Sequence, residues 1–278
     1  MQEKIVLPNK KDLKYYEKYG LNTFLLPFKD YSIGYEVYFD IDEINVHAEE
    51  YNIYVLINKF LHKDINNFKD IYSKFNKKVK FIVEDIGLCN IIPSNRLVLY
   101  ENHILSNYKA INYLYDKGVS NVVVNNDLTY KELEEIDNKA NSKLYYFYIA
   151  KNMIMYSKRY LVSSYLKHYN IGSFKKSYLL DEKVTHKFLE IHEEDCGTTV
   201  RYNKIFCASK YLDKLDNYNL IFDFSYIDKL NEEMILDNLD RSVLCDLIDS
   251  DYYFLENDIK YKVGDLKWNM NFYYLLVT

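Results

Sequence analysis

Hydrophobic residues in this chain fall in short unbroken runs, and between the runs they recur every three or four positions. The runs are KIVLP (4–8), TFLLP (23–27), IYVLIN (53–58), VKFIVE (79–84), LVLY (97–100), NVVVN (121–125), LYYFYIA (144–150) and LIFDFS (220–225). Unbroken rather than alternating apolarity is what a strand needs when both of its faces are covered. The intervening stretches have helical spacing. DIDEINVHAEEYN places Asp40 and Glu43 in capping-box positions and sets Ile41, Ile44, Ala48 and Tyr51 along one stripe. NHILSNYKAINYLYDKG carries Ile104, Tyr108, Ile111 and Tyr115 on one face and stops at Gly118, a C-cap residue. TYKELEEI opens on Thr129 with Glu132 three positions on, and YIDKLNEEMILDNL follows the eighth run.

Strands that alternate with helices pair in parallel through right-handed crossovers. Eight such units predict an α/β fold, a (β/α)8 TIM-like barrel, with a doubly wound open sheet as the alternative. Seven glycines, three prolines and no Ser/Gly linker mark no internal boundary, so residues 1–278 read as a single barrel domain. The rhythm breaks once, in an insertion over 151–217 after strand seven. Within it HKFLEIHEED and CGTTVRYN read as a β-hairpin turning near Asp195–Gly197. RSVLCDLIDS reads as helical, and an extension over 251–278 is expected to pack on the barrel exterior or in a partner interface.

Composition narrows the function classes. A net charge of −5 and a pI near 5.8 argue against a protein coated in nucleic acid or anionic lipid, but not against one local basic face. The start, MQEKIVLPNK, is too polar for a secretory signal, and no apolar run is long enough to span a bilayer. These features predict a cytoplasmic protein with no membrane partner. Cys89, Cys196, Cys207 and Cys245 form no C-x-x-C pair and read as buried thiols rather than a disulfide framework or a zinc site. The 31 tyrosines fit the codon bias of an AT-rich genome and are not taken as base-stacking residues.

Barrel ligands sit at the C-terminal ends of the strands. That end holds Asn9, Lys29, Asn58, Glu84 with Asp85, Glu101 with Asn102, Asn125 to Asp127, and the stretch IAKNMIMYSKRYLVSSY (149–165). The lysines at 74, 77, 78 and 80 precede strand four and face the other end, as a solvated surface. Glu84 and Asp85 are the general acid/base candidates, since burial beside an apolar strand end raises a carboxyl pKa. The alternative is that Asp85 caps the short helix IGLCNII while Glu84 pairs with a lysine. Asn58, Asn126, Asp127, Tyr156, Lys158 and Arg159 are the candidate ligand-binding residues. His62, alone in a strand–helix loop, reads as a surface residue or helix cap. His186 and His192 stand about 20 Å apart on one strand at roughly 3.3 Å per residue. One zinc cannot hold both, so no metal site is assigned. The chain lacks G-x-S-x-G, P-loop, H-E-x-x-H and G-x-G-x-x-G motifs, which removes the commonest hydrolase and nucleotide-binding readings.

The ordered segments LPNKKDLKYYEKYGLNTFLLPFKDYSIG, INKFLHKDI, VEDIG, VVVNNDLTYKELEEI and MYSKRYLVSSYLKHY resemble peptidase family U32, the collagenase-like group of bacterial proteins, over about residues 4 to 225. The resemblance implies the same barrel. It also implies either peptidase activity, for which the family is named, or hydroxylation of RNA bases or a quinone precursor, in which several members work as paired paralogues. Those hydroxylases hold an iron–sulfur cluster on four cysteines. The matching positions here are Met153, Tyr160, a residue near Ser177, and Cys207. A strand-six motif that usually ends in an arginine–glutamate pair reads Asn126–Asp127. Clusters are held by thiolates, so no cofactor is expected. The chain then reads as a cluster-free subunit in tRNA or rRNA modification, partnered by a larger cysteine-bearing paralogue and touching RNA through Lys158 and Arg159. A hydrolase using Glu84 or Asp85, and a barrel that binds a small metabolite, are the alternatives.

Overall fold

The computed structural model describes residues 2–256 except 102, 103, 173, 174, 176, 183–186 and 196. The eight apolar runs become strands of one closed barrel: β1 (Lys4–Leu7), β2 (Thr23–Pro27), β3 (Asn52–Ile57), β4 (Lys80–Val83), β5 (Leu97–Leu99), β6 (Asn121–Val123), β7 (Lys143–Ala150) and, last in sequence, β13 (Tyr218–Asp223). All pair in parallel, and closure comes from β13 lying between β7 and β1, with Tyr218 beside Leu144 and Lys4 beside Leu220. The (β/α)8 barrel is therefore the fold.

Residue alternation divides the core in two. Ile5, Leu25, Tyr54, Ile82, Tyr145 and Ile221 fill the barrel interior. Their neighbours Val6, Phe24, Val55, Phe81, Tyr146 and Leu220 face the helices, joined there by Ile44, Phe68, Ile111 and Ile136. Side chains are thus buried on both faces of each strand, as the unbroken runs require. The main helices are α1 (Lys14–Glu17), α2 (Ile41–Glu50), α3 (Ile65–Tyr72), α4 (Tyr108–Asp116), α5 (Tyr130–Lys139), α6 (Leu161–Tyr169) and α7 (Lys229–Leu236). Both expected capping boxes form, Asp40 with Glu43 on α2 and Thr129 with Glu132 on α5. The segment before α4 winds later than its apolar spacing suggested, because Asn107 takes the N-cap and accepts from the Ala110 N–H.

After β7 the chain builds a second sheet from β8 (Met153–Ser157), β9 (Ser177–Glu182), β10 (Lys187–Glu194) and β11 (Gly197–Tyr202), in the order β8-β11-β10-β9. The expected hairpin is β10–β11, with Glu194 opposite Gly197. β8 and β9 extend it on either side. Gly197 has φ +130°, and a Cβ there would lie 2.1 Å from the Ser157 carbonyl, so glycine is what lets the turn lie against β8. β12 (Ile205–Cys207) then runs antiparallel to the end of β7, and β14 (Ser250–Asp251) joins it in parallel.

One reading of the cysteines needs correction. Cys207 and Cys245 are joined in a disulfide, with Cα atoms 5.6 Å apart. Their 38-residue separation hid this pairing, because the contact depends on the segment after α7 folding back against β12. Cys89 is a free thiol, and Cys196 and His186 lie outside the described residues. Most of the expected C-terminal extension, residues 257–278, also lies outside them; its first part forms β14 and a short turn at Tyr253–Leu255. No helix among the described residues is long and apolar enough to cross a membrane.

Candidate functional site

The second sheet lies across the C-terminal mouth of the barrel and is anchored there by one buried arginine. Arg201, on β11, is 1% exposed. Its Nη1 donates to the Lys151 carbonyl at 2.7 Å, its Nη2 to the Gly34 carbonyl, and the Asp223 carboxylate at the end of β13 lies 3.9 Å away. The Tyr35 and Tyr226 rings flank the guanidinium at 5.3 and 5.1 Å. Gly34, with φ +83°, permits the approach: a Cβ there would meet Thr199 at 3.0 Å and the Met153 sulfur at 3.2 Å. Burial raises the pKa of Asp223, and Arg201 pulls it back in part. Beside this plug, His192 packs against Tyr226 with ring centres 4.2 Å apart and planes tilted by 31°, and Glu190 accepts from Lys151 at 2.8 Å.

The plug leaves part of the mouth open. A cavity of about 440 Å³ lies between the ends of β4, β5 and β6 and strand β8. Glu84 and Asp127 line it, with Asn126, Tyr100, Met155 and Tyr156. The Glu84 carboxyl is pushed up to about 8, first by burial and second by the carboxylate of Glu101 at the next strand end. It therefore carries its proton at neutral pH. Asn126 is held in place by donating to the Phe147 carbonyl at 2.8 Å.

The candidate residues separate into two groups. Glu84, Asn126, Asp127 and Tyr156 converge on the cavity. Lys158 and Arg159 are exposed just past β8, and the Lys158 ammonium donates to the carbonyl of Phe60, a cavity-lining residue. Asn58 and Asp85 are occupied elsewhere. Asn58 is buried and bonds both the N–H and the carbonyl of Ile33, pinning the loop after β2. Asp85 accepts from the N–H groups of Gly87 and Leu61, which fixes the turn after β4.

The sequence reading missed Tyr202 and Phe254, which also line the cavity, and Arg201 with Asp223. An arginine inside the short β-branched strand TTVRY was the available signal, since a buried strand tolerates a charge only where partners await it.

The positions that match cluster cysteines hold other side chains and other bonds. Met153 lines the cavity, Tyr160 donates to the Asp195 carbonyl, Ser177 opens β9, and the sulfur of Cys207 is bonded to Cys245. These side chains supply no set of thiolates, so they do not fit an iron–sulfur cluster. Among the described residues no cluster of His, Cys, Asp and Glu is placed to hold a metal ion.

Among curated proteins none matches the sequence. A solved structure, that of the U32 peptidase Mk0906, is similar, with 11% identity over 55% of this chain and 70% of that one and a TM-score of 0.42. The family model described as Peptidase family U32 matches residues 12–223. That span runs from the loop after β1 to the last barrel strand and takes in the second sheet and its plug, and on this match the chain belongs to peptidase family U32.

Proposed function

We propose that this chain is a ligand-binding barrel of its family, and not a hydrolase that works through a side-chain nucleophile. The mouth cavity receives one group of a ligand, and Glu84 is the residue that exchanges a proton with it. The observation that carries this reading is the lining itself. It holds a carboxyl that keeps its proton at neutral pH and several aromatic and thioether side chains, but among the described residues no serine, threonine or cysteine. A hydrolase would have to activate water with Glu84, which is a poor base while protonated. Peptidase assays on the wild type, Glu84→Gln and Asp85→Asn are the test. The expected result is no turnover by any of the three. Turnover by the wild type that disappears in Glu84→Gln would replace this reading with a water-activating peptidase.

A second reading, a cluster-free subunit of an RNA-modifying pair, is favoured by the placement of Lys158 and Arg159. Both are exposed on the rim, where phosphate could reach them from solvent. If they contact RNA, Lys158→Glu/Arg159→Glu weakens tRNA or rRNA binding by about tenfold or more and flattens its salt dependence by roughly two units of slope. Equal RNA affinity of the reversed and native proteins, together with no larger cysteine-bearing paralogue in pull-downs, would remove this reading.

A further inference from the structure

We infer that residues 259–272, beyond the described part of the chain, form a β-hairpin that adds to the open edge of β8 and roofs the mouth cavity. Its docking does not depend on what the cavity binds. β8 is an end strand of the second sheet: it pairs with β11, and among the described residues no strand pairs with its other edge. Asn152, Met153, Ile154, Met155 and Tyr156 all line the cavity. Side chains along a strand point to alternate faces, and the bulge at Ile154 re-aims only one of them. A cavity touched by the whole run therefore lies along that open edge. Ile154 and Met155 are exposed there. The strand MIMYS has no charge or proline to stop another strand from adding, and edges of that kind are ordinarily covered.

The sequence supplies a segment of matching form. In DIKYKVGDLKWNMNF (258–272), Ile259, Tyr261 and Val263 alternate with lysines, and Leu266, Trp268, Met270 and Phe272 alternate with a lysine and asparagines. Runs of period two separated by Gly264–Asp265 predict a hairpin with a type II′ turn, whose first central position takes glycine. That turn sets Val263 opposite Leu266, Tyr261 opposite Trp268 and Ile259 opposite Met270, all on one face. Lys260, Lys262, Lys267 and Asn269 share the other. A lone two-stranded hairpin is at best marginally stable in water, so its apolar face needs a surface to cover. The chain passes Glu256 beside one. Phe254 lines the same cavity as β8, and Glu256 accepts from Lys210 at 2.6 Å and from Tyr211 at 2.9 Å. A few extended residues, at roughly 3.3 Å each, carry the chain from there to the mouth. The exposed Leu179 and Leu180 of β9 are farther off, at the opposite edge of the second sheet beyond β11 and β10.

Trp268 is the only tryptophan in the chain, so its fluorescence reads the hairpin directly. In the native full chain its emission is expected to lie to the blue of its emission in urea, with weaker quenching by acrylamide. Hydrogen exchange should find the amides of Met153–Tyr156 protected. Gly264→Val puts a branched side chain where the turn needs positive φ, and Ile154→Lys/Met155→Lys charges the docking edge. Each variant should shift the emission to the red and deprotect those amides. Gly264→Val alters no residue of the barrel or the second sheet, so its exchange pattern decides the matter even where the lysine variant folds poorly. Native emission equal to that in urea would overturn the docking. So would blue-shifted emission that a folded Ile154→Lys/Met155→Lys leaves unchanged, or β8 amides indifferent to Gly264→Val, since either places the hairpin on another surface. Emission that reddens on dilution, in step with dissociation of a dimer by light scattering, would assign the edge of β8 to the hairpin of a second copy and overturn docking within one chain.

Discussion

Arg201→Met is expected to cost about 3–5 kcal/mol of folding stability, because it strands a buried carboxylate as well as deleting a buried cation. In the native protein the guanidinium spans two carbonyls, those of Lys151 and Gly34, and faces Asp223 between two tyrosine rings. Methionine fills much of the volume but satisfies none of those oxygens. Asp223 would then hold its proton more firmly still, since Arg201 is what now offsets the effect of its burial. A raised carboxyl pKa gives a fold that loses stability as pH rises, so the variant should be weakest in alkali. For a chain of this size each kcal/mol moves the thermal midpoint by roughly 2–4 °C, which puts the expected drop on the order of 10 °C. Arg201→Met/Asp223→Asn should recover part of it, because the double variant leaves no charge unpaired. A melt of Arg201→Met within about 1 kcal/mol of wild type would show that the second sheet is held over the mouth by other contacts.

The barrel could be read from the chain because its determinants are local. Runs such as IYVLIN and VKFIVE announce strands covered on both faces, and the Asp40/Glu43 and Thr129/Glu132 boxes announce helix starts within four residues. The site was partly legible for the same reason. Glu84, Asn126 and Asp127 sit just beyond their strands, and in a barrel those positions share one end. What lay beyond reading depends on contacts distant in sequence. MIMYS has no pattern that separates a strand from a loop, and it becomes β8 only by pairing with β11, where Tyr156 meets Thr199. Phe254 reaches the cavity after the chain has returned from α7, and Cys245 finds Cys207 by that same return. The adjacency of Glu84 and Asp85 in sequence also conceals a division of labour. Successive side chains diverge, so one enters the cavity while the other closes a turn.

Glu84→Gln should make the protein more stable than wild type at pH 9 and leave the two nearly equal at pH 4. The folded state holds the Glu84 proton until about pH 8, whereas the unfolded chain releases it near the ordinary glutamate value of about 4.3. Between those limits the folded state binds more protons, so stability falls as pH rises and levels off above 8. The full shift would be worth roughly 4–5 kcal/mol, and partial exposure of the side chain reduces the expected difference to about 2–3 kcal/mol. Glutamine mimics the protonated carboxyl in shape and never ionises, so the wild-type minus variant difference isolates this one group. Other titrations cancel in that difference. Burial lowers the pKa of His47, hydrogen bonds to backbone N–H groups lower that of Asp228, and Asp223 is shifted by its own surroundings. Glu101→Gln provides the second arm. It removes the smaller of the two causes, so the descent should level off at a lower pH and remain substantial, since burial is the larger. Urea titrations at half-unit steps from pH 4 to 9 read all three proteins. A difference between wild type and Glu84→Gln that stays flat across that range would mean that Glu84 titrates in the folded state as it does in the unfolded chain, and the mouth cavity would then lack, at neutral pH, the protonated carboxyl on which its ligand chemistry depends.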